Sequence, residues 1–350
     1  MVLRVLHTVC YIRPLLPQYP SCAWPMVAVW WATSTVQFVL PLWRLRRKAM
    51  VDEKCGISRE TNFQPLAVEQ LLPLNLGGRV MDFSRPKVMG ILNVTDDSFY
   101  AGSHCVGEQA IRARVQAIVA EQGDLLDIGA CSTRPGSLPV SPADEQARVL
   151  QACAIARELA PALPISVDTY RASVAQAAIE QYHVEMINDI SGGDMDPEMF
   201  PLIVKTQVAY VITHIKGTPR TMQQNPTYDN LMEEVMQFFT ARILKLRRQG
   251  FANIMVDLGF GFGKTIDHNY ELLRNQQVFH ELGHPILTGV SRKSMIYKLL
   301  GTTPEGALAG TQTVDTIALF HGADMLRVHD VKAAHEAVEI VMRFRQQPIW

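Results

Sequence analysis

Residues 254–264 read Ile-Met-Val-Asp-Leu-Gly-Phe-Gly-Phe-Gly-Lys. Ile254 to Val256 suit a short buried strand that stops on an acid, Asp257. Gly259, Gly261 and Gly263 then alternate with Leu258, Phe260 and Phe262, and Lys264 closes the loop ahead of a helical stretch. An apolar strand ending on a polar side chain, followed by a loop and a helix, is one unit. The chain repeats that unit eight times from residue 88 onward. The glycines match no nucleotide cradle. Leu258 stands where the first glycine of G-x-x-x-x-G-K-[ST] is required, and the spacing is not G-x-G-x-x-G. They are expected to let the backbone approach a ligand closely, which a Cβ would prevent.

Outward from this stretch, the predicted strands are 88–94, 125–128, 165–168, 186–190, 209–213, 254–256, 286–290 and 325–328. Helical stretches fall between them, among them 108–122, 143–160, 171–181, 231–249 and 269–281. Stretches 292–300 and 305–321 bridge the last two strands, and 331–345 follows the final one. Strands alternating with helices pair in parallel through right-handed crossovers. Eight units over this length match an α/β fold of the (β/α)8 TIM-barrel type, with a doubly wound open sheet as the alternative. Ahead of the barrel, Leu74 to Phe83 holds Gly77-Gly78 between apolar runs and predicts a hairpin that could cap the barrel bottom. The domain reading is therefore an N-terminal extension, 1–73, and a barrel, 74–350.

Composition agrees with a large globular domain, at 48% hydrophobic and 19% charged over 350 residues. A net charge of −1 argues against a protein that holds nucleic acid through its phosphates. Residues 1–50 differ from the rest. They carry six Arg and Lys, no acid, and four of the five tryptophans. Ala23 to Trp43 is a mostly apolar run of bilayer-spanning length, followed by Arg44, Arg46, Arg47 and Lys48. Pro25, Pro41 and the polar run Thr33-Ser34-Thr35 oppose a span. A membrane anchor and a dispensable extension, with Met50 as the working start, both remain open. The six cysteines form no C-x-x-C pair, which reads as reduced thiols in a cytoplasmic protein.

A barrel places its active site at the C-terminal ends of its strands. Those ends read Asn93, then Ser132-Thr133-Arg134, Asp168, Asn188-Asp189, His214, Asp257, Ser291-Arg292-Lys293, and Arg327 with His329. Helix capping accounts for Ser291 and Thr169. It accounts poorly for a rim that gathers Asp168, Asn188, Asp257, Lys293, Arg327 and His329. Arg327 and His329 lie two apart and share a strand face. With Asn93 they suit an anionic phosphate group, and Asn93 offers a neutral oxygen to Mg²⁺. Asp168 and Asp257 are acceptors and Asn188 both donates and accepts, a set that reads the donor-rich edge of a flat heterocycle. Neither a Cys-His nor a Ser-His pair is evident, so the rim reads as substrate positioning and leaving-group stabilisation.

Eight ordered stretches carry a family resemblance. They are VMGILNVTDDSF at 88–99, DIGACSTRPG at 127–136, SVDTY at 166–170, INDISGG at 187–193, GTPRTMQ at 217–223, GFGFGK at 259–264, SRKSMI at 291–296 and RVHDV at 327–331. The chain from about Leu74 to Phe344 resembles the dihydropteroate synthase family. The resemblance implies a transferase of folate biosynthesis that joins 7,8-dihydropterin-6-ylmethyl diphosphate to 4-aminobenzoate. It implies that Asp168, Asn188, Asp257 and Lys293 hold the pterin. It also implies that Asn93, Arg327 and His329 hold the diphosphate, with Mg²⁺ on Asn93. Phe99, Thr133, Arg134, Pro135, Phe262, Lys293 and Ser294 would form the aminobenzoate pocket, its carboxylate near the start of a helix. Catalytic roles fall to Asp97, Arg134 and Lys293, and Asp97 keeps an acid near the metal. Small-molecule substrates, sulfonamide binding, a homodimer and no nucleic acid are implied as well, and membrane contact only if residues 23–43 anchor.

Three positions depart from the family pattern. Asp96 occupies the proline position of N-V-T-P-D-S-F, Ala101 falls where many members carry an acid, and Ile215 replaces a methionine. A methyltetrahydrofolate-dependent methyltransferase, which shares the barrel, would not need the Arg327/His329 pair or the STRPG loop. A non-enzymatic pterin-binding module is the third reading.

Overall fold

Eight parallel strands close on themselves. β3 (Lys87–Asn93), β4 (Leu125–Gly129), β5 (Ile165–Asp168), β6 (Met186–Asp189), β7 (Ala209–Thr213), β8 (Ile254–Asp257), β9 (Ile286–Thr288) and β10 (Met325–Val328) follow one another around the barrel, and β10 returns to pair with β3. The computed structural model describes residues 71–95, 107–131 and 140–346. The apolar run 23–43, for which an anchor and a dispensable extension are both open, lies outside them. No helix of the described residues is long and apolar enough to cross a membrane.

Alternation along each strand sorts side chains into two cores. Outward residues such as Val88, Leu92, Ile128, Val167, Ile187 and Ile212 pack against the surrounding helices. Inward residues Met89, Leu125, Met186, Ala209, Val211, Met255, Leu287 and Met325 form a separate apolar layer at the bottom of the barrel interior. Two residues further along, the same inward faces carry Ile91, Asp127, Asn188, Thr213, Asp257, Gly289 and Arg327. The interior thus turns from apolar to polar along the strand direction, and that gradient places the site.

The hairpin of β1 (Leu74–Leu76) and β2 (Arg79–Met81) closes the bottom. Leu74 and Leu76 join the interior apolar layer. Asn253 locks the hairpin by donating from Nδ2 to the Asn75 carbonyl at 2.8 Å and accepting from the Asn75 N–H at 2.9 Å. Glu185 ties it again, accepting from Arg79 at 3.1 Å and from Arg157 at 2.7 Å.

The helices that cover the strands are α1 (Glu108–Ala120), α2 (Pro142–Leu159), α3 (Ala172–Tyr182), α4 (Met199–Thr206), α5 (Leu231–Arg247), α6 (Ile266–Asn275), α7 (Ser294–Tyr297), α8 (Leu308–Phe320) and α9 (Val331–Arg345). Their starts follow ordinary capping chemistry. Ser141 precedes Pro142 and accepts from Asp144 N–H, Asn230 accepts from Glu233 N–H, and Thr265 forms a reciprocal cap with His268. Two predicted helices are shorter. The stretch 269–281 is α6 tightening into 3₁₀ turns over Gln276–Leu282, ended by Gly283 in the left-handed region. The stretch 292–300 keeps only the four residues of α7, because Lys293 is extended.

Candidate active site

Asn93, Asp168, Asn188, Asp257, Phe262, Lys293, Arg327 and His329 line one cavity at the C-terminal mouth of the barrel. Of the residues predicted for ring and phosphate recognition, none is left out. Asn188 is turned by its neighbour. Its Nδ2 donates to Asp127 Oδ2 at 3.2 Å, which leaves Oδ1 without a hydrogen-bond partner. Asp257 accepts the Gly259 N–H on Oδ1 at 2.8 Å. Lys293 donates to the Phe260 carbonyl at 2.6 Å and stands 4.7 Å from the centroid of the Phe262 ring.

Arg327 anchors the electrostatics. Its Nε donates to Asp127 at 2.6 Å and its Nη2 to Asp168 at 2.7 Å. Burial opposes its charge, yet the two carboxylates hold it protonated and raise its pKa. Burial pushes the Asp168 carboxyl up to about 7, against the pull of Arg327 and with Asp127 as a repelling neighbour. Burial also raises Asp257, opposed by Lys293, and lowers Lys293 to about 8. His329 is driven well below its ordinary value by burial and then by Arg327, Arg114 and Arg292. The mouth therefore holds charges whose protonation a ligand can reset.

Capping does not explain Ser291 or Thr169. Residue 293, not 291, precedes α7, and residue 171, not 169, precedes α3. Against the expectation of no Ser-His pair, Ser291 Oγ pairs with His329 Nδ1 at 3.0 Å and accepts the His329 N–H at 3.2 Å, so it fixes the imidazole. Thr169 Oγ1 donates to the buried Glu145 at 2.6 Å and accepts the N–H of Arg171, the residue before α3, at 3.1 Å. Three other strand-end residues are structural. Asp189 turns outward and accepts from Tyr210 Oη at 2.6 Å, from Ser191 and from Gly193. Arg292 grips Asp330 through Nε at 2.8 Å and Nη2 at 2.9 Å. His214 faces Lys264, with Nδ1 and Nζ 2.8 Å apart, and burial lowers its pKa to about 2.

Two of the three loop glycines also have a different reason from the expected one. Gly259 and Gly263 adopt positive φ, and a Cβ on either would overlap the carbonyl of His214 or Lys216. The close approach is to the chain leaving β7, not to a ligand. Lys264 is buried beneath that loop and donates to the carbonyls of Gly259 at 2.9 Å and Phe262 at 3.0 Å. It pins the loop and points away from any phosphate role.

Ser294 opens α7 one residue beyond the cavity wall and does not line it. Asp97, Phe99, Thr133, Arg134 and Pro135 lie outside the described residues, as do Asp96 and Ala101. Asp127 is the residue that strand-end reading missed. It lies mid-strand, fully buried, where the inward alternation Leu125, Asp127, Gly129 was the available signal. Thr95, Thr213 and Cys131 also line the cavity without having been singled out.

A parallel eight-stranded barrel whose mouth gathers acids, an amide and cations defines a pterin-binding enzyme. A family model described as "Pterin binding enzyme" matches residues 89–329. Among curated proteins, the chain is 38% identical to dihydropteroate synthase of Escherichia coli over 268 residues, covering 75% of this chain and 93% of that one. It is 38% identical to dihydropteroate synthase of Synechocystis over 273 residues, covering 77% and 93%. The crystal structure of Yersinia pestis dihydropteroate synthase with a sulfonamide drug complex matches at a TM-score of 0.73 and 37% identity, over 79% of this chain and 100% of that one. The Thermus thermophilus enzyme in complex with 4-aminobenzoate matches at 0.70 and 34% identity, over 78% and 99%. The chain belongs to the dihydropteroate synthase family and is a TIM-barrel transferase.

Proposed function

We propose that the barrel mouth joins 7,8-dihydropterin-6-ylmethyl diphosphate to 4-aminobenzoate, releasing diphosphate and 7,8-dihydropteroate. The observation that carries this reading is the meeting of Asp168, Asn188, Asp257 and Lys293 with Asn93, Arg327 and His329 in one cavity. Asn188 Oδ1 and the Asp257 carboxylate accept from the amino and ring N–H groups of the pterin, and Lys293 supplies the neighbouring cation. Arg327, released in part from its carboxylates, joins His329 in stabilising the departing diphosphate. The C–O bond breaks next to an electron-rich ring, so stabilising the leaving anion is the main task. The aniline nitrogen forms the new C–N bond and then loses a proton. It is neutral beforehand and needs no strong base. Phe262 walls the side on which 4-aminobenzoate would lie. Phe99, Thr133, Arg134, Pro135 and Ser294 are proposed to complete that pocket, with Asp97 on the first loop.

Mg²⁺ fits the residues present. A Cβ on Gly129 would lie 3.4 Å from Asn93 Oδ1 and 3.5 Å from Asp168 Oδ2, so the glycine keeps space open between two oxygens. Among the described residues no group of three His, Cys, Asp or Glu could hold a metal. Mg²⁺ keeps waters and takes oxygens from phosphate ligands, so Asn93 would serve as its protein contact. When bound, Mg²⁺ neutralises charge on the diphosphate. The reading extends to a cytoplasmic homodimer. Exposed Phe320, Ile340 and Phe344 on α8 and α9 give a dimer apolar surface to bury. Incubating the purified protein with the pterin diphosphate, 4-aminobenzoate and Mg²⁺ tests the reading. Dihydropteroate formation supports it, and binding without turnover reduces the protein to a pterin-binding module.

A further inference from the structure

Thr213 ends β7, between β6 with Asn188 and β8 with Asp257. Ala209 and Val211 lie in the apolar layer below it, so alternation turns Thr213 inward as well. It lines the cavity, it is 1% exposed, and its Oγ1 has no hydrogen-bond partner. A hydroxyl buried without a partner is costly, and valine would fill the same strand position without that cost. No side chain of the nearby wall bonds this hydroxyl. Asn188 Oδ1 is also without a partner, and Asp257 Oδ1 is taken by the Gly259 N–H. These neighbours are acceptors aimed at ligand donors. A threonine hydroxyl can donate, so it complements them by meeting an acceptor of the same ring.

We propose that Thr213 is a specificity-determining residue whose hydroxyl donates to an acceptor atom, a ring nitrogen or the keto oxygen, of the bound pterin. The assignment rests on the proposed function. It adds a donor between the acceptors Asn188 and Asp257, and so selects heterocycles that alternate donors and acceptors along that edge. Thr213→Val keeps the shape and deletes the hydroxyl, and Thr213→Ser keeps the hydroxyl.

The full chain and both variants are titrated with the pterin diphosphate by calorimetry, and their ligand-free melting temperatures are compared. Thr213→Val is expected to weaken binding about tenfold, or about 1.4 kcal/mol, with Thr213→Ser within about twofold of the parent. The melting temperature of Thr213→Val should not fall, because the deleted hydroxyl holds nothing in the free protein. The KM for 4-aminobenzoate at saturating pterin diphosphate should stay unchanged. Unaltered binding in Thr213→Val overturns the assignment. Equal losses in both variants, or a lowered melting temperature in Thr213→Val, make the residue a packing group and overturn it too. A parent chain that does not bind the pterin diphosphate at all overturns the proposed function, and this assignment with it.

Discussion

Asp168 accepts a hydrogen bond from Arg327 Nη2 at 2.7 Å. The acid expected to read the ring and the arginine expected to hold the leaving group are thus bonded to one another in the free protein. Asp127 strengthens the link by taking Nε of the same guanidinium at 2.6 Å. On the proposed roles, recognition of the two ends of the ligand is coupled through this pair. A diphosphate that draws Arg327 toward itself loosens Asp168, and ring donors on Asp168 compensate for that loss.

Arg327→Ala should weaken binding of the pterin diphosphate far more than binding of the unphosphorylated hydroxymethyl-pterin. It should also lower affinity for the latter, because Asp127 and Asp168 lose their orienting partner. Leaving buried carboxylates unpaired costs about 3–5 kcal/mol of stability, so the variant should melt earlier. Arg327→Lys retains a cation and should fold better while still losing the fork. Equal affinity losses for both ligands, in Arg327→Lys, would sink the phosphate role.

Asp257→Ala removes a ring acceptor and the anchor of the Gly259 N–H together. Unpaired ligand donors cost about 1–3 kcal/mol, so pterin affinity should drop by that amount. Asp257→Asn keeps an oxygen for Gly259 and isolates the ligand term. If calorimetry shows unchanged pterin affinity in Asp257→Asn, the carboxylate serves the loop alone.

Gly259→Ala should be far more damaging than Gly250→Ala. Both positions have positive φ, but nothing lies within 4 Å of a Cβ at Gly250, whereas one at Gly259 would overlap the His214 carbonyl. Gly250→Ala should cost about 1–2 kcal/mol, the left-handed backbone penalty alone. Gly259→Ala must displace the chain after β7 and disturb Lys264 below it. Urea denaturation of the two variants measures the difference, and similar midpoints would show that the loops separate easily.

The barrel was legible because short apolar strands with polar ends recur eight times, and the structure closes the sheet in that order. The residues expected at the ring and the phosphate meet in one cavity because they lie at strand ends or in the loops just beyond them. Asp127 was not, since it lies inside an apolar strand and only its inward face marks it. Ser291 and Thr169 were misread as caps because a hydroxyl before a helix looks the same in sequence whether it meets a backbone N–H, His329 or Glu145. The glycines were assigned to a ligand because sequence shows that a backbone must come close to something, not to what. Here it is the neighbouring strand end, which no local pattern reveals.

A chain starting at Met50 should fold and turn over like the full chain. Leu74 and Leu76 supply an apolar floor to the barrel and Asn253 fixes their hairpin, and all three follow Met50. Loss of folding on removing residues 1–49 would show that they pack on the barrel. Membrane fractionation of the full chain alone would support the anchor.

Binding of the pterin diphosphate should release a proton through Asp168 between about pH 5 and 7. Burial raises this carboxyl from 3.8 to about 7. The free protein therefore binds a proton there that the unfolded chain has lost. Its stabilising contribution is full below about pH 4 and disappears as the pH rises toward 7. Pterin N–H donors favour the carboxylate, so the bound state carries a lower pKa and the proton leaves. Calorimetry at pH 6 in two buffers of different ionisation enthalpy gives the proton count. Lys293 and His329 also change environment on binding, so the informative number is the difference between the parent and Asp168→Asn. The amide cannot titrate, and the variant should release fewer protons, by up to one per site. An identical count in parent and variant would mean that Asp168 is already ionised in the free protein, held so by Arg327.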